Sequence, residues 1–371
     1  MDKVDIAIIG AGVIGLAIAQ RLSLSKEIVL IEQHDGFGRE TSSRNSEIIH
    51  AGMYYPSDSL KARLCVEGNR KLYELCENFK IPYKKIGKLI IAHTEEEKKK
   101  IENLLKQGNK NGVPGLRLLN RQEINKMEPH ILANLALFSP ETGIFDSHQL
   151  MKFFEQKALS NNVTIAYNCT VSGLQKTGDT FTLDIIDADG ESFNLESSIV
   201  VNSAGLHADK IASLAGIDVE NDGYKLHFCK GEYFSVSSRH NGKLAHLVYP
   251  PPNTISLGIH TVTLLDGSLK LGPSAFYIDT IDYEVDGSHQ KDFLESAKTY
   301  LPFIESNDLS PDMSGVRPKL QAEDEDFRDF VICEESNKGL KGLINLIGIE
   351  SPGLTAAPAI ADYVDKIVKD L

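Results

Sequence analysis

The sequence has few cysteines, and they do not form a C-x-x-C motif. Five scattered cysteines, an odd number, argue against a disulfide framework and against a cysteine-based metal site. The zinc motifs H-x-x-x-H and H-E-x-x-H are also missing, so we expect no bound metal. No G-x-S-x-G turn is present to support a Ser/His/Asp hydrolase. The thiols are those of a reduced, cytosolic protein: Cys65, Cys76, Cys169, Cys229 and Cys333.

Positive charge and long apolar runs are scarce as well. The formal charge is −13, so no basic stripe is available to neutralise the phosphates of a nucleic acid. No apolar run approaches membrane-spanning length, and the apolar amino terminus lacks the basic start of a signal peptide. We therefore expect no nucleic-acid partner and no transmembrane segment. The expected location is the cytoplasm, or the inner face of the membrane as a peripheral protein.

What the sequence does contain is a dinucleotide-binding motif at its amino terminus. An apolar run from Val4 meets three glycines with G-x-G-x-x-G spacing, Gly10, Gly12 and Gly15, before a small-residue helix. The first glycine permits the tight turn, the second lets a pyrophosphate approach the backbone, and the third allows close helix–strand packing. A second β-branched run ends on Glu32, which can accept hydrogen bonds from a ribose diol. The motif alone does not distinguish NAD from FAD.

The rest of the chain alternates between helical and strand patterns. At 371 residues it is long enough for two domains, and without repeats or a linker these should interleave. A strand-rich region extends over about 224–310. Periodicity predicts helices at 59–80, 95–108, 121–127, 147–160, 208–215, 289–300 and 357–371, and strands at 163–167, 170–174, 180–186, 192–195 and from 198.

Four separated segments carry a resemblance to a known superfamily: the fingerprint at 10–32, Thr-Gly-Ile-Phe-Asp-Ser-His-Gln-Leu at 142–150, Val-Val-Asn-Ser-Ala-Gly-Leu-His-Ala-Asp at 200–209, and Gly-Ile-Glu-Ser-Pro-Gly-Leu-Thr at 348–355. With them the chain resembles the FAD-dependent, D-amino-acid oxidase-like oxidoreductases. The resemblance implies an α/β fold, in which a glutathione-reductase-type FAD-binding Rossmann domain interleaves with an α+β, antiparallel-sheet substrate domain. It implies an FAD domain of residues 1–80, 144–222 and 311–371, and a substrate domain of residues 81–143 and 223–310.

Further segments narrow the resemblance to the L-2-hydroxyglutarate dehydrogenase/oxidase group. They include Arg-Asn-Ser-Glu-Ile-Ile-His-Ala-Gly-Met-Tyr-Tyr-Pro at 44–56, Gly-Lys-Leu-Ile-Ile-Ala at 87–92 and Asn-Gly-Val-Pro-Gly-Leu-Arg-Leu-Leu at 111–119. This implies oxidation of a small anionic 2-hydroxy acid, L-2-hydroxyglutarate to 2-oxoglutarate, by hydride transfer to flavin N5. Oxidation of an amine, as in glycine or sarcosine oxidases, is the alternative. A non-catalytic flavoprotein and an NAD dehydrogenase are further hypotheses. Oxygen, a quinone or an electron-transfer flavoprotein could accept the electrons.

Such a reaction needs a base and a clamp for the C1 carboxylate. His260 and His50 are the candidates for the base, because histidine titrates near neutral pH. Arg317 is the candidate clamp, because a guanidinium makes a planar bidentate pair with a carboxylate. A second carboxylate would need another donor, and the choice stays open among Tyr54, Lys230, Tyr249 and Lys319, together with Lys88 and Tyr55.

The resemblance also implies which residues bind FAD non-covalently. Besides the fingerprint residues, it places donors for the pyrophosphate and the flavin after the second strand. It further implies backbone bonds from Val171 to adenine, packing near the pyrophosphate, and backbone N–H groups near flavin O2. The donors after the second strand are Thr41, Ser42, Arg44, Asn45 and Ser46, and Val171 is the adenine contact. The residues that pack near the pyrophosphate are Ala204, Gly205 and Asp209. The N–H groups near flavin O2 belong to Gly348, Gly353 and Leu354.

Overall fold

The computed structural model describes residues 2–252 and 258–371. The chain divides into two compact units, and both are discontinuous in sequence. Unit one comprises Met1–Ser43, Ser147–Phe228 and Arg317–Leu371, and unit two comprises Arg44–Asp146 and Cys229–Val316. Residues 44–80, which the predicted FAD domain includes, belong to unit two in this division.

The helices of the described chain agree with the predicted ones, apart from their ends. They are α1 Val13–Leu22, α2 Leu60–Phe79, α3 Glu95–Lys110, α4 Arg121–Met127, α5 Ser147–Ser160, α6 Ala208–Leu214, α7 Gln290–Lys298 and α8 Gly353–Lys369. The last helix begins four residues before its predicted start at Ala357. Gly353 and Pro358 are poor helix formers, but burial of the small side chains between them against the rest of the unit overrides that preference.

Strands account for most of the remaining regular structure. In chain order they are β1 Asp2–Ile9, β2 Ile28–Ile31, β3 Ile48–Ile49, β4 Tyr83–Lys84, β5 Lys88–Ala92, β6 Arg117–Asn120, β7 Leu135–Ser139, β8 Gly143–Phe145, β9 Thr164–Ala166, β10 Thr170–Thr177, β11 Thr180–Ile186, β12 Ser192–Asn202, β13 His227–Val236, β14 Leu247–Tyr249, β15 His260–Thr263, β16 Leu269–Gly272, β17 Phe276–Ile278, β18 Leu309–Lys319, β19 Val331–Glu335 and β20 Leu340–Ile347.

Unit one is built on an eight-stranded mixed sheet. Its order is β10-β11-β12-β1-β2-β9, with β20 paired to β12 and β19 to β20. The strands β2, β1, β12 and β20 run parallel to their neighbours in that series. The strands β10, β11 and the first half of β12 form an antiparallel meander. Because parallel strands end at a common edge, the turns after β1, β12 and β20 meet there.

The strand β12 corrects the prediction of two separate strands between residues 192 and 202. Its first half pairs antiparallel with β11, and its second half pairs parallel with β1 and β20. In the structure Ser197 is buried, and its hydroxyl donates to the carbonyl of Ile199 at 2.7 Å. A serine whose hydroxyl has a hydrogen-bond partner is tolerated inside a buried strand.

Unit two contains smaller, mainly antiparallel sheets. One has the order β14-β5-β7-β6, another β15-β16-β13-β17 with β18 on β13, and a third β3-β8-β4. The strand β14 pairs parallel with β5. Two hydrophobic clusters, which contain Leu89 and Ile90 respectively, occupy opposite faces of β5. This strand is therefore buried on both sides.

Within the described ranges, no helix combines the length and the apolar character needed to cross a membrane.

Candidate active site

The glycine turn after β1 has the close contacts that the motif requires. Gly10 has a positive φ of 99°, and a Cβ there would lie 2.7 Å from the carbonyl oxygen of Ser203. A Cβ on Gly15 would lie 1.9 Å from the carbonyl oxygen of Gly10. No side chain fits at that distance, so helix α1 approaches the strand closely only because this residue is glycine.

The first turn of α1 is suited to an anion. Its N-cap is Gly12, which provides no side-chain cap, and the turn contains no acidic residue. The hydroxyl of Ser42 accepts the N–H of Val13 at 3.0 Å, and a Cβ on Gly12 would lie 3.0 Å from that hydroxyl. A positive helix end, an adjacent hydroxyl and space that a side chain would fill match a pyrophosphate. Thr41 lies in the same short turn as Ser42.

Glu32 supports the glycine turn through both carboxylate oxygens. Oε2 accepts the N–H of Ala11 at 2.7 Å, and Oε1 accepts the N–H of His34 at 2.9 Å. The side chain is buried. Each carboxylate oxygen can accept a second hydrogen bond. The predicted ribose contact is therefore compatible with this geometry and stays a prediction.

A buried amide network holds the turn after β12. Asn202 accepts the N–H of Ala204 at 3.3 Å and donates to the side-chain oxygen of Asn345 at 2.8 Å. Asn345 donates to Glu335 at 2.8 Å. Nothing lies within 4 Å of the position of a Cβ on Gly205. These amides are not among the predicted site residues, although two asparagines within apolar runs were a visible signal in the sequence.

The other predicted cofactor residues of unit one lie at strand and helix ends. Val171 is buried in β10, and Asp209 in the first turn of α6 accepts the N–H of Leu226 at 3.2 Å. Gly348 has a φ of 71° directly after β20. Gly353 begins α8, followed by Leu354, and this helix has neither a side-chain cap nor an acidic residue in its first turn.

Arg44, Asn45 and Ser46 belong to unit two and have contacts there. The guanidinium carbon of Arg44 lies 4.0 Å from the ring centroid of Tyr283. Asn45 accepts the N–H of Glu47 at 2.7 Å. The hydroxyl of Ser46 lies 2.7 Å from that of Tyr233, and the structure does not assign the donor. Their predicted contacts with FAD are untested by these observations.

Unit two contains a buried lysine at the start of β5. Tyr249 pairs with Ile90, two residues after the pairing of Leu247 with Lys88, so Lys88 and Tyr249 side chains share one face of the sheet. The Lys88 ammonium lies 4.4 Å from the ring centroid of Tyr249 and 4.5 Å from that of Tyr54. Burial lowers the pKa of Lys88 to about 7. Over the described ranges, its nitrogen has no hydrogen-bond partner.

The two tyrosines around Lys88 also have unused donors. Both hydroxyls are buried and make no hydrogen bond to any described residue. Burial raises the pKa of Tyr54 and of Tyr249, so both phenols stay protonated at neutral pH. The Lys88 ammonium and these two hydroxyls therefore have no acceptor among the described residues, which is a costly arrangement in a protein interior.

Both candidate bases lie beside these donors. The ring of His260 stacks on that of Tyr249, with centroids 3.6 Å apart. Burial, together with the charge of Lys88, lowers the pKa of His50 to about 3, so His50 is a neutral proton acceptor at physiological pH. Asn69 donates to the backbone carbonyl of His50 at 2.9 Å and anchors it. We call Lys88, Tyr54, Tyr249, His50 and His260 the Lys88 cluster.

The other two candidate lysines are paired with carboxylates. Lys230 forms an ion pair with Asp282 and lies 3.8 Å from Glu232. Lys319 lies 4.0 Å from Glu350. Arg317, in β18, is half-buried and belongs to unit one. Sequence analysis included Lys88 only among six alternative donors; a lysine at the start of an otherwise apolar strand was the signal that could have singled it out.

The chain is similar to known proteins along nearly its whole length. A family model described as FAD dependent oxidoreductase (DAO) matches residues 5–367. The chain is 37% identical to an L-2-hydroxyglutarate dehydrogenase from Arabidopsis thaliana, over 98% of this chain and 83% of that one. It is 32% identical to a glycerol 3-phosphate dehydrogenase from Caloramator mitchellensis, over 99% and 74%. A solved structure of L-alpha-glycerophosphate oxidase from Mycoplasma pneumoniae, with FAD bound, is 27% identical with a TM-score of 0.87, covering 100% and 95%.

Proposed function

The chain belongs to the FAD dependent oxidoreductase (DAO) family, and on that premise we propose that it oxidises L-2-hydroxyglutarate to 2-oxoglutarate. The observation that carries the proposal is the 37% identity to an L-2-hydroxyglutarate dehydrogenase along 98% of the chain. The Lys88 cluster supports it, because neutral histidine and unused donors are what an anionic hydroxy acid requires. Bound FAD supplies a hydride acceptor.

The protein residues have separate tasks in this reaction. The glycine turn, Ser42 and the first turn of α1 would hold the pyrophosphate of FAD. His50 or His260 would accept the hydroxyl proton as the carbinol hydrogen leaves with its electron pair, which yields the 2-oxo acid. The lowered pKa of His50 keeps its ring nitrogen unprotonated, and the same shift makes this histidine a weaker base than an ordinary one. Arg317 would hold the C1 carboxylate by a bidentate contact.

A second candidate is the oxidation of glycerol 3-phosphate. It is favoured by the relative from Caloramator mitchellensis and by the oxidase structure from Mycoplasma pneumoniae, because both proteins are named for that compound. Both candidate substrates have a secondary hydroxyl and an anionic group. An amine substrate, the earlier alternative, has less support, because both curated relatives described above are named for hydroxyl compounds.

Flavin reduction under anaerobic conditions tests the proposal. We expect L-2-hydroxyglutarate to bleach the flavin absorbance of the purified holoenzyme. The D enantiomer should do so at least about a hundredfold more slowly, because only one enantiomer presents its carbinol hydrogen to the acceptor. Bleaching by glycerol 3-phosphate or by sarcosine, with no response to either hydroxyglutarate, would reject the proposal in favour of the corresponding candidate.

The electron acceptor is tested by reoxidation of the reduced holoenzyme. Oxygen, a soluble quinone analogue and an electron-transfer flavoprotein are compared at equal concentration. A quinone acceptor would favour peripheral attachment to the membrane, whereas either of the others would favour a cytoplasmic location.

A further inference from the structure

We propose that Lys88, Tyr54 and Tyr249 form a binding site for the second anionic group of the substrate, the C5 carboxylate of a dicarboxylic hydroxy acid. The inference rests on the proposed function for the identity of the occupant. The existence of an anion site rests on the side chains alone.

The composition of the site favours an anion over any other ligand. One ammonium and two phenol hydroxyls contribute donors, and no described residue accepts from them. Both phenols are kept protonated by burial, so each has a proton to donate. A carboxylate accepts up to four hydrogen bonds and carries the charge that Lys88 needs.

Comparison among the three candidate lysines singles out Lys88. Lys230 and Lys319 already have carboxylates within 4.0 Å. An anion that approached either would compete with Asp282 or Glu350. Lys88 has no such competitor within the described part of the chain, so a substrate carboxylate would be its first anionic partner.

Burial of an unpaired lysine is unfavourable for folding, and this points to a role in binding. Charged side chains are almost never fully buried unless they are paired. Lys88 is 0% exposed and starts a strand whose other residues are apolar. A hydrophobic residue at that position would destabilise the fold less. The buried lysine therefore indicates a role in binding a ligand.

The site should take up a proton when it binds an anion. The titratable groups that face Lys88 are His50, Cys65, Tyr54 and Tyr249. Burial raises the pKa of Cys65 to about 12, so it remains a neutral thiol, like the neutral histidine and phenols. Only Lys88 changes charge near neutrality. Anion affinity should therefore weaken as the pH rises above about 7. The donors are covered by protein, so the neighbouring side chains must move to admit the anion.

The test measures binding without turnover. The wild-type holoenzyme is titrated with glutarate and with pentanoate, which has the same number of carbons and one carboxylate, while flavin absorbance is recorded. We expect glutarate to bind at least about tenfold more tightly, as one charge-assisted contact provides. Lys88→Met should remove that preference and leave the affinity for pentanoate within about twofold. Tyr54→Phe and Tyr249→Phe should each weaken glutarate binding by a smaller factor.

Lys85→Met is the matched control, because Lys85 is an exposed neighbour that pairs with Glu141. It should bind both acids like the wild type. Equal affinity of the wild type for both acids, or an equal loss of both in Lys88→Met, would overturn the site. The Tyr54→Phe variant keeps the test valid if Lys88→Met does not fold.

A further titration with propyl phosphate distinguishes the two kinds of anion. If Lys88→Met weakens propyl phosphate and leaves glutarate unaffected, the anion is a phosphate and the dicarboxylate assignment is wrong. If Lys88-dependent glutarate binding is found but L-2-hydroxyglutarate does not reduce the flavin, the proposed function fails while the anion site stands.

Discussion

The imidazole of His260 lies parallel to the phenol ring of Tyr249, with 12° between their planes and 3.6 Å between centroids. The same tyrosine ring is 4.4 Å from the ammonium of Lys88. One side chain therefore contacts both a candidate base and the proposed anion site. Any substitution that removes the tyrosine ring should disturb both the candidate base and the anion site.

Tyr249→Leu is expected to lower the limiting rate of flavin reduction by about a hundredfold, because a base displaced by about 1 Å loses its alignment with the hydroxyl. Tyr249→Phe keeps the ring and its stacking, and should retain the limiting rate within a few-fold. Stopped-flow absorbance at saturating substrate measures both. Similar losses in the two variants would show that the hydroxyl, and not the stacking, is required.

Lys88→Met should stabilise the protein at pH 7. The pKa of Lys88 is about 7 in the folded chain, below its unfolded value near 10.4, so the unfolded chain binds more protons between these values. The loss of unfolding free energy caused by burying this lysine is full below pH 7 and disappears as the pH approaches 10.4. Urea unfolding of the holoenzyme should show a gain of about 2–5 kcal/mol at pH 7 that shrinks by pH 10.

The control for that measurement is Lys85→Met, whose unfolding free energy should stay within about 0.5 kcal/mol of the wild type at both pH values, as for most exposed substitutions. A destabilised Lys88→Met at pH 7 would mean that the lysine has a stabilising partner.

The pH profile of flavin reduction distinguishes the two histidines. If His50 is the base, its pKa of about 3 keeps it unprotonated across the working range, and the limiting rate should not fall between pH 8 and pH 5. His50→Asn should lower that rate by about 10²–10⁴-fold. A rate that falls between pH 8 and pH 5 in the wild type, and does not fall in His260→Asn, would instead assign the base to His260.

Gly15→Ala should prevent correct packing of unit one. Its Cβ would lie 1.9 Å from the backbone oxygen of Gly10, and a backbone atom cannot move aside as a flexible side chain can. We expect a loss of about 3 kcal/mol or more, with little bound FAD after purification.

Gly287→Ala is the matched control, because its Cβ would meet only Pro311 at 3.7 Å. Thermal unfolding and the ratio of flavin to protein absorbance measure both variants. Normal FAD content in Gly15→Ala would contradict the close helix–strand contact.

Local sequence signals predicted a large part of the fold. The helix Arg121–Met127 has its predicted bounds, and in the structure Asn120 and Glu123 form a capping box at its start. The glycine turn was equally visible, since its spacing reflects contacts within one β-α-β segment. The start of α8 and the continuity of β12 were not, because burial in the sheet and between helices overrode the local preferences of glycine, proline and serine.

The sequence by itself determined that the cofactor is a dinucleotide, since glycine spacing expresses this directly, and it provided the two histidines as candidate bases. Only the tertiary structure distinguished the lysines. Lys88, Lys230 and Lys319 are equivalent as residue types, and their difference lies in carboxylates distant in sequence, such as Asp282, fifty-two positions from Lys230. The folded chain pairs two of them and buries the third between two tyrosines. Charge pairing and burial depend on long-range contacts, and these belong to the fold.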